Sequence, residues 1–209
     1  MYVPYFFKNE NIDDVLDFIE KNSFGILISR SNTKFLATHI PLELDKDENG
    51  YPILTGHISK GNPQWENFVN DSDILVIFNG PHCYISSSWY DHENVPTWNY
   101  IAVHIYGRVK IIEGERLITS LTKLVDKYEK QMENPVSVRT MSKEFLNNEI
   151  KGIVGFEIEI TEIQSAYKLS QNRDMINHNN IVAELRKSGD SNSHIIAEEM
   201  EKYTNKKSI

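Results

Sequence analysis

The sequence contains little of what marks a secreted or membrane-spanning protein. Its 209 residues include a single cysteine, Cys83, so an internal disulfide is excluded. No stretch approaches the roughly 20 apolar residues that a membrane-spanning helix needs. The first residues, MYVPYFFKNENIDD, have no basic leader and become acidic from Glu10. We therefore expect a cytoplasmic protein without a membrane partner, in which Cys83 is a small buried apolar residue and not a nucleophile.

Common catalytic signatures are also missing. The chain has no GxGxxG, GxxxxGK[ST], GxSxG or HExxH motif, and a lone cysteine cannot supply a CxxC pair. These absences remove the familiar sequence signs of dinucleotide folds, phosphate-binding loops, serine hydrolases of the GxSxG type and zinc proteases. No catalytic residue is predicted, and whether the protein is an enzyme stays open.

Basic residues are outnumbered by acidic ones. Lys and Arg total 22 while Asp and Glu total 30, which gives a net charge of −8. Residues 171–209 hold six basic and six acidic side chains, so the whole acidic excess lies in residues 1–170. Such a domain lacks the basic surface that is typical of DNA-binding domains. Direct DNA contact by residues 1–170 is therefore disfavoured.

Strand patterns dominate what the sequence does contain. Its 9 Phe, 10 Tyr and 3 Trp are too many for a disordered chain. Alternating or continuous apolar runs predict strands at 24–30, 34–44, 51–58, 73–79, 82–87, 98–112 and 153–160. Gly80-Pro81 is expected to separate the fourth and fifth of these strands. In the last one, alternation turns Glu157 and Glu159 towards water.

Helical patterns flank the strands. They predict a helix from Ile12 after an Asn11 cap, one over 115–132, one from Ser142 and two within 178–187 and 193–203. A shorter helix is expected to start at Asn62-Pro63. Antiparallel strands with few helices between them predict a mainly β (α+β) fold, either a barrel or a sandwich. We expect one domain over residues 1–170 and a small helical extension over residues 171–209.

Aromatic and polar residues crowd together between residues 84 and 100. Side chains of this type suit stacking on a planar ring or anchoring a subunit interface. The alternative is a loop that folds back and closes one end of the barrel. Because so many Trp and Tyr side chains are unfavourable on a free surface, we expect a homodimer.

Several longer segments resemble the PaiB family of FMN-binding negative transcriptional regulators. They are KFLATHIPLEL (34–44), GHISKGNPQW (56–65), YISSSWY (84–90), VPTWNYIAVHIYG (95–107) and YKLSQNR (167–173). The resemblance implies an antiparallel FMN-binding split barrel of six or seven strands, dimeric, with ligand sites between subunits. It also implies a bacterial role in repressing degradative-enzyme and sporulation genes, directly or through a partner. Two positions depart from the family pattern: Ile58-Ser59-Lys60 replaces the usual Ala-Arg after His57, and Ser87 stands where proline is common.

The resemblance also carries a set of cofactor-binding positions onto this chain. Lys60, beside the Asn62-Pro63 helix start, and Arg173 are the candidates for the FMN phosphate; lysine meets a phosphate as a point charge and not as a two-pronged fork. The other positions are polar or aromatic and are candidates for the remainder of the ligand or for the interface. The full set is Thr38, His39, His57, Lys60, Ser86, Ser88, Trp89, Tyr90, Thr97, Trp98, Asn99 and Arg173.

Each of these residues also has a purely structural interpretation. Thr38 and His39 could be satisfied by neighbouring backbone groups, and Lys60 could be a solvated surface lysine. Arg173 could form a surface ion pair, and the tryptophans favour an interface over flavin. A lone histidine within a strand, as His104 is, is more often a satisfied core or interface group than a ligand.

Three other functions stay open. A flavin-dependent oxidoreductase on the same barrel needs few catalytic side chains because the cofactor supplies the chemistry. A haem-binding or haem-degrading protein would need imidazoles such as His39, His57 and His104 to converge. A barrel without any cofactor could serve as an interaction module.

Overall fold

The computed structural model describes residues 1–31, 34–68 and 72–206. The strands are β1 (Phe24–Arg30), β2 (Phe35–Pro41), β3 (Glu43–Lys46), β4 (Pro52–Ser59), β5 (Ser72–Ile85), β6 (Thr97–Ile112) and β7 (Ile153–Lys168). The helices are α1 (Ile12–Lys21), α2 (Gly114–Glu129), α3 (Lys143–Ile150), α4 (Met175–Lys187) and α5 (Ser191–Lys206). Short 3₁₀ turns occupy Tyr5–Phe7, Pro63–Asn67, Ser87–Trp89 and Val138–Thr140.

The seven strands form one sheet in the order β2-β1-β5-β6-β7-β4-β3. Antiparallel pairing joins β1 to β2 and to β5, and β4 to β3 and to β7. The prediction of six or seven antiparallel strands with flanking helices and a helical carboxyl-terminal segment is therefore confirmed. Within the described part of the chain, no helix is both long and apolar enough to cross a membrane.

The chain forms two compact units. The first unit comprises residues 1–18, 78–104 and 164–209, and the second comprises residues 19–77 and 105–163. Strands β5, β6 and β7 each contribute residues to both units. The sequence-based division at residue 170 stays a prediction, and the last three residues of the predicted extension, 207–209, lie outside the described residues.

Helix starts are set by side-chain caps, as the sequence indicates. The Asn11 Oδ1 atom accepts hydrogen bonds from the backbone N–H groups of Asp13 (3.1 Å) and Asp14 (3.3 Å). Ser142 Oγ accepts from the Phe145 N–H at 3.3 Å. Each cap satisfies donors that the first helical turn leaves free. The predicted starts of α1 and α3 are therefore confirmed.

Some predicted strand boundaries are wrong. Gly80-Pro81 does not interrupt the strand, because β5 runs continuously from Ser72 to Ile85. Its register with β1 covers only Ile74–Ile77, so the missing N–H of Pro81 removes no bond from that ladder. The predicted strand 34–44 ends at Pro41, and β3 begins at Glu43. The predicted strand 153–160 continues to Lys168 as β7, and Arg173 lies in the turn that follows it.

The second unit contains a chain of ion pairs between α2 and the strands β3 and β7. Arg116 bonds Asp45 (3.1 Å) and Glu157 (3.0 Å), Lys123 bonds Asp45, and Lys127 lies 2.6 Å from Glu43. Lys110 on β6 also contacts Glu157. The prediction that Glu157 faces water is therefore wrong: α2 covers it, and paired cations compensate for its burial.

Candidate functional site

A polar cluster in the second unit surrounds Thr38. The Thr38 hydroxyl donates to Gln64 Oε1 and accepts from Asn62 Nδ2 at 2.9 Å. The Gln64 amide group donates to the carbonyl oxygens of Leu27 (3.0 Å) and Leu36 (3.3 Å). Thr38 thus has protein partners for both donating and accepting, and this cluster ties the 3₁₀ turn at Pro63–Asn67 to β1 and β2.

His39 and His57 have different surroundings in the same unit. His39 is exposed on β2, and its ring stacks on Phe24 with the centroids 6.3 Å apart. His57 on β4 is partly buried, and burial lowers its pKa. A neutral imidazole at pH 7 can make hydrogen bonds there but supplies no positive charge.

Lys60 is held by its backbone at the end of β4. Its N–H donates to Gly152 O at 2.8 Å, and its carbonyl oxygen accepts from the Trp65 indole N–H at 3.0 Å. The side chain is exposed. The helix expected from Pro63 is a five-residue 3₁₀ turn, capped by Asn62 as predicted, and so short a turn has only a small dipole.

Lys60 lines a cavity of about 390 Å³, here called the Lys60 cavity. Lys151 and the start of α2 also line it. The side chain of Glu113 makes no capping bond to α2, so the first N–H groups of that 16-residue helix are left without a side-chain cap. The positive charges of Lys60 and Lys151 and the start of α2 outweigh the single carboxylate of Glu113, so the cavity favours an anionic ligand. Apolar walls come from Ile111, Ile112, Leu117, Ile150, Ile153 and Val154.

The first unit contains a second cavity, of about 530 Å³, here called the Trp98 cavity. It lies on the face of β6 that carries Trp98, Tyr100, Ala102 and His104 at alternate positions. The His82 ring is tilted relative to the Trp98 ring, with the ring centroids 6.2 Å apart. The Tyr84 ring meets the Trp98 ring edge-on, with a centroid distance of 6.0 Å. His104 is partly buried, which lowers its pKa, and its Nδ1 atom is buried without a hydrogen bond.

Thr97 and Asn99 lie on the opposite face of the same strand. Lys168 Nζ donates to Thr97 Oγ1, and Ser170 Oγ donates to Asn99 Oδ1 at 3.1 Å. Asn99 is fully buried, and its amide contacts the Met200 sulfur at 3.5 Å. Both side chains therefore stabilise the first unit, and Trp98 is the member of this predicted trio that reaches the cavity.

The segment between β5 and β6 brings other predicted residues together. Ser86 caps the 3₁₀ turn by accepting from the Ser88 N–H at 3.2 Å, and the two hydroxyls lie 2.8 Å apart. Trp89, in the same turn, is partly buried. The Arg173 guanidinium lies 5.0 Å from the centroid of the buried Tyr90 ring, a cation–π contact. Arg173 thus has an aromatic partner.

Sequence reasoning missed several residues of these two cavities. His82, which lines the Trp98 cavity, and Tyr84, which contacts Trp98, were not assigned to a site, because their place beside Trp98 depends on β5 neighbouring β6 in the sheet. Lys151 was missed because it lies far from Lys60 in the sequence. The prediction for Cys83 is confirmed: it is buried, and burial raises the pKa of its thiol to about 12. Among the described residues, no three His, Cys, Asp or Glu side chains come close enough to hold a metal ion.

Comparisons with known proteins agree with this architecture. Residues 1–162 match the family described as "Putative FMN-binding domain". The chain is 46% identical over 201 residues to "Protease synthase and sporulation protein PAI 2" of Bacillus subtilis, covering 96% of this chain and 97% of that protein.

Two solved structures share the fold at low sequence identity. The FAD- and haem-binding protein from Mycobacterium smegmatis superposes with a TM-score of 0.59 at 13% identity, over 77% of this chain and 73% of that one. Flavocytochrome Anf3 from Azotobacter vinelandii gives a TM-score of 0.58 at 16% identity, over 79% and 72%. These likenesses confirm the split-barrel fold. Given the family match over residues 1–162 and the extent of identity with the Bacillus protein, the chain belongs to the PaiB family and carries its FMN-binding domain.

Proposed function

We propose that this protein is an FMN-binding regulator of the PaiB type, with the FMN phosphate held at the Lys60 cavity. The observation that carries the proposal is the fixed position of Lys60, whose backbone is bonded on both sides beside a cavity with a second lysine and the start of α2. Lys60 and Lys151 contribute charge, and the backbone N–H groups of α2 contribute directed donors. The match to the FMN-binding domain family supports FMN as the ligand.

A flavin fluorescence titration tests the ligand. We expect FMN fluorescence to be quenched saturably by the wild-type protein, with a Kd in the micromolar range or tighter. Lys60→Ala should raise the Kd tenfold or more, about 1.4 kcal/mol, because it removes an anchoring charge. Lys143→Ala, which removes another exposed lysine of the second unit, is the control and should leave the Kd unchanged. Absence of quenching by the wild-type protein would overturn the proposal.

The regulatory part of the proposal follows the relative from Bacillus subtilis, whose name refers to protease synthesis and sporulation. Expression of this chain in a Bacillus subtilis strain that lacks that relative should restore normal extracellular protease levels. If FMN controls the regulator, Lys60→Ala should restore them less well than Lys143→Ala. Equal failure of the wild-type chain and of an empty vector would contradict the regulatory role.

A homodimer completes the proposal. Trp98 and Tyr84 are 51% and 48% exposed in the single chain, which is unfavourable for neighbouring large aromatic residues in water. Sedimentation at micromolar concentration should therefore give a mass twice the 24.2 kDa of one chain. A monomer throughout a dilution series would show that these side chains stay in solvent.

A further inference from the structure

The Lys60 cavity combines charged groups with one aromatic ring. Among the described residues that line it, Trp65 alone is aromatic, and the other apolar side chains of the lining are aliphatic. Neither Trp98 nor Tyr84, whose exposure supports the dimer, belongs to this lining. Trp65 is therefore the side chain of the cavity that suits an aromatic part of a ligand.

The 3₁₀ turn Pro63–Asn67 holds the backbone of Trp65 in place. Asn62 Oδ1 accepts a hydrogen bond from the Gln64 N–H at 3.0 Å, and the proline at the start of the turn restricts the backbone further. The side chain of Gln64, the neighbour of Trp65, donates to backbone carbonyls of both β1 and β2. The turn is thus tied to the sheet of the second unit by contacts within the protein itself.

The indole of Trp65 is also fixed at one edge. Its N–H group donates to Lys60 O at 3.0 Å, which satisfies the only polar group of the side chain. Trp65 is only partly buried, so the surface that it offers to a ligand is that of an apolar ring. A planar ligand ring can stack on such a surface or meet it edge-on, and an indole that is already restricted loses little conformational entropy in doing so.

The bond between Lys60 and Trp65 keeps two kinds of contact side by side. Lys60 supplies a positive charge, and Trp65 supplies an aromatic surface. A ligand that uses both must carry an anionic group and a planar ring in one molecule. FMN has this composition, because a flexible ribityl chain joins its phosphate to its fused rings.

We propose that Trp65 contacts the isoalloxazine ring of bound FMN and makes the Lys60 cavity prefer a flavin to phosphate alone. This inference rests on the proposed FMN site. The phosphate interacts with Lys60, Lys151 and the start of α2, and the ring lies against the indole. The lysines thus select an anion, and Trp65 selects the ring that it carries.

Three ligands separate the ring from the phosphate: FMN, riboflavin, which lacks the phosphate, and inorganic phosphate, which lacks the ring. Equilibrium dialysis with the full chain measures the two flavins, and competition against FMN measures inorganic phosphate. We expect Trp65→Ala to raise the Kd of FMN and of riboflavin at least fivefold and to leave that of phosphate unchanged. Lys60→Ala should instead weaken FMN and phosphate and leave riboflavin unchanged.

Two further variants test whether the ring itself is responsible. Trp65→Phe keeps an aromatic ring but loses the N–H donor to Lys60, so both flavins should bind within about twofold of the wild type. Tyr51→Ala, which removes an exposed aromatic side chain elsewhere in the second unit, should change none of the three affinities. Circular dichroism verifies that each variant is folded.

Three results would overturn the inference while FMN binding stands. Wild-type flavin affinity in folded Trp65→Ala would mean that the ring lies elsewhere. Equal weakening of flavins and phosphate in that variant would mean that the indole merely holds the Lys60 backbone. Flavin binding as weak in Trp65→Phe as in Trp65→Ala would assign the effect to the lost hydrogen bond. Absence of FMN binding by the wild-type protein would overturn the proposed function and this inference together.

Discussion

At the scale of single residues, Gln64 shows how a buried polar side chain organises the second unit. Its side chain is almost completely buried and reaches one hydroxyl and two backbone carbonyls on separate segments. Sequence reasoning placed Gln64 in a helix start and gave it no role, because its partners are 26 to 37 residues away. Such a residue is recognisable only when the packing around it is known.

Replacement of Gln64 by leucine should destabilise the protein markedly. It removes the side-chain donor to the carbonyls of Leu27 and Leu36 and the acceptor of the Thr38 hydroxyl, so we expect a loss of about 2–4 kcal/mol in the free energy of unfolding. Urea denaturation measures the change. Gln131→Leu, at an exposed position, is the control and should shift stability by less than about 0.5 kcal/mol. Similar urea midpoints for the two variants would show that the Thr38 cluster contributes little.

Gly107 is a residue whose lack of a side chain is required by close packing. A Cβ atom there would lie 2.4 Å from Glu159 O and 2.6 Å from a methyl group of Ile158. The close approach of β7 is the physical reason for a residue without a side chain at this position.

Gly107→Ala should therefore be destabilising by about 1–3 kcal/mol, since the β7 backbone must move to admit a methyl group. Gly189→Ala is a matched control, because nothing lies within 4 Å of the position that its Cβ would occupy. Thermal unfolding followed by circular dichroism compares the two. A Tm for Gly107→Ala equal to that of Gly189→Ala would contradict the close approach.

At the scale of elements, helix α2 is attached to the sheet of the second unit by charge as well as by apolar contacts. Asp45 is the centre of this attachment, with Lys123 and Arg116 as partners. Burial alone would raise the pKa of Asp45, but the hydrogen bonds from Lys123 and from the backbone, together with both cations, lower it overall. The carboxylate therefore favours the folded state in its charged form.

The sign of this shift sets the pH range in which Asp45 matters. A carboxyl group with a lowered pKa contributes stability above its unfolded pKa of about 3.9, and this contribution is lost as the pH falls towards its folded pKa. Asp45→Asn should thus lower the free energy of unfolding at pH 7, and the difference from the wild type should shrink below about pH 4. Urea titrations at several pH values measure it. A difference that does not vary with pH would mean that the two cations stabilise no charge at Asp45.

The same scale shows what local patterns could predict. Caps at Asn11 and Ser142 and the long strand β6 were predictable because their signals lie within a few neighbouring residues. The continuity of β5 was not, since a proline stops a strand only where a neighbouring strand needs its N–H. The burial of Glu157 depends on α2, which lies about forty residues earlier in the chain and brings Arg116.

The cavities were predictable to a similar extent. Trp98 and Lys60 were identified from the resemblance, and alternation along β6 places Tyr100 and His104 on the same face as Trp98. His82 and Tyr84 lie at alternate positions of the predicted strand 82–87, but their place beside Trp98 could not be predicted, because it depends on β5 neighbouring β6. Lys151 could not be predicted either, because its approach to Lys60 depends on the bond between Lys60 and Gly152 in the folded structure.

At the scale of the whole molecule, the net charge of −8 constrains how a regulator can act. An acidic protein is repelled by the phosphates of DNA unless a basic surface overcomes the repulsion. We therefore expect no shift of promoter DNA by the protein alone in gel assays at about 150 mM salt. A specific complex whose affinity falls steeply with salt would contradict this expectation and establish direct DNA contact.

The pairing of β4 with β7 has a consequence for how the protein is made. Ile53 pairs with Glu159 and Ser59 with Ile153, so each bond joins residues about a hundred positions apart. At a synthesis rate of about 5–20 residues per second, β4 leaves the ribosome roughly 5–20 s before its partner exists. During that interval β3 can pair with one edge of β4, while the other edge, which later pairs with β7, is left open on a strand rich in apolar residues. We therefore expect chaperones in the cell to bind nascent chains that end between residues 60 and 150.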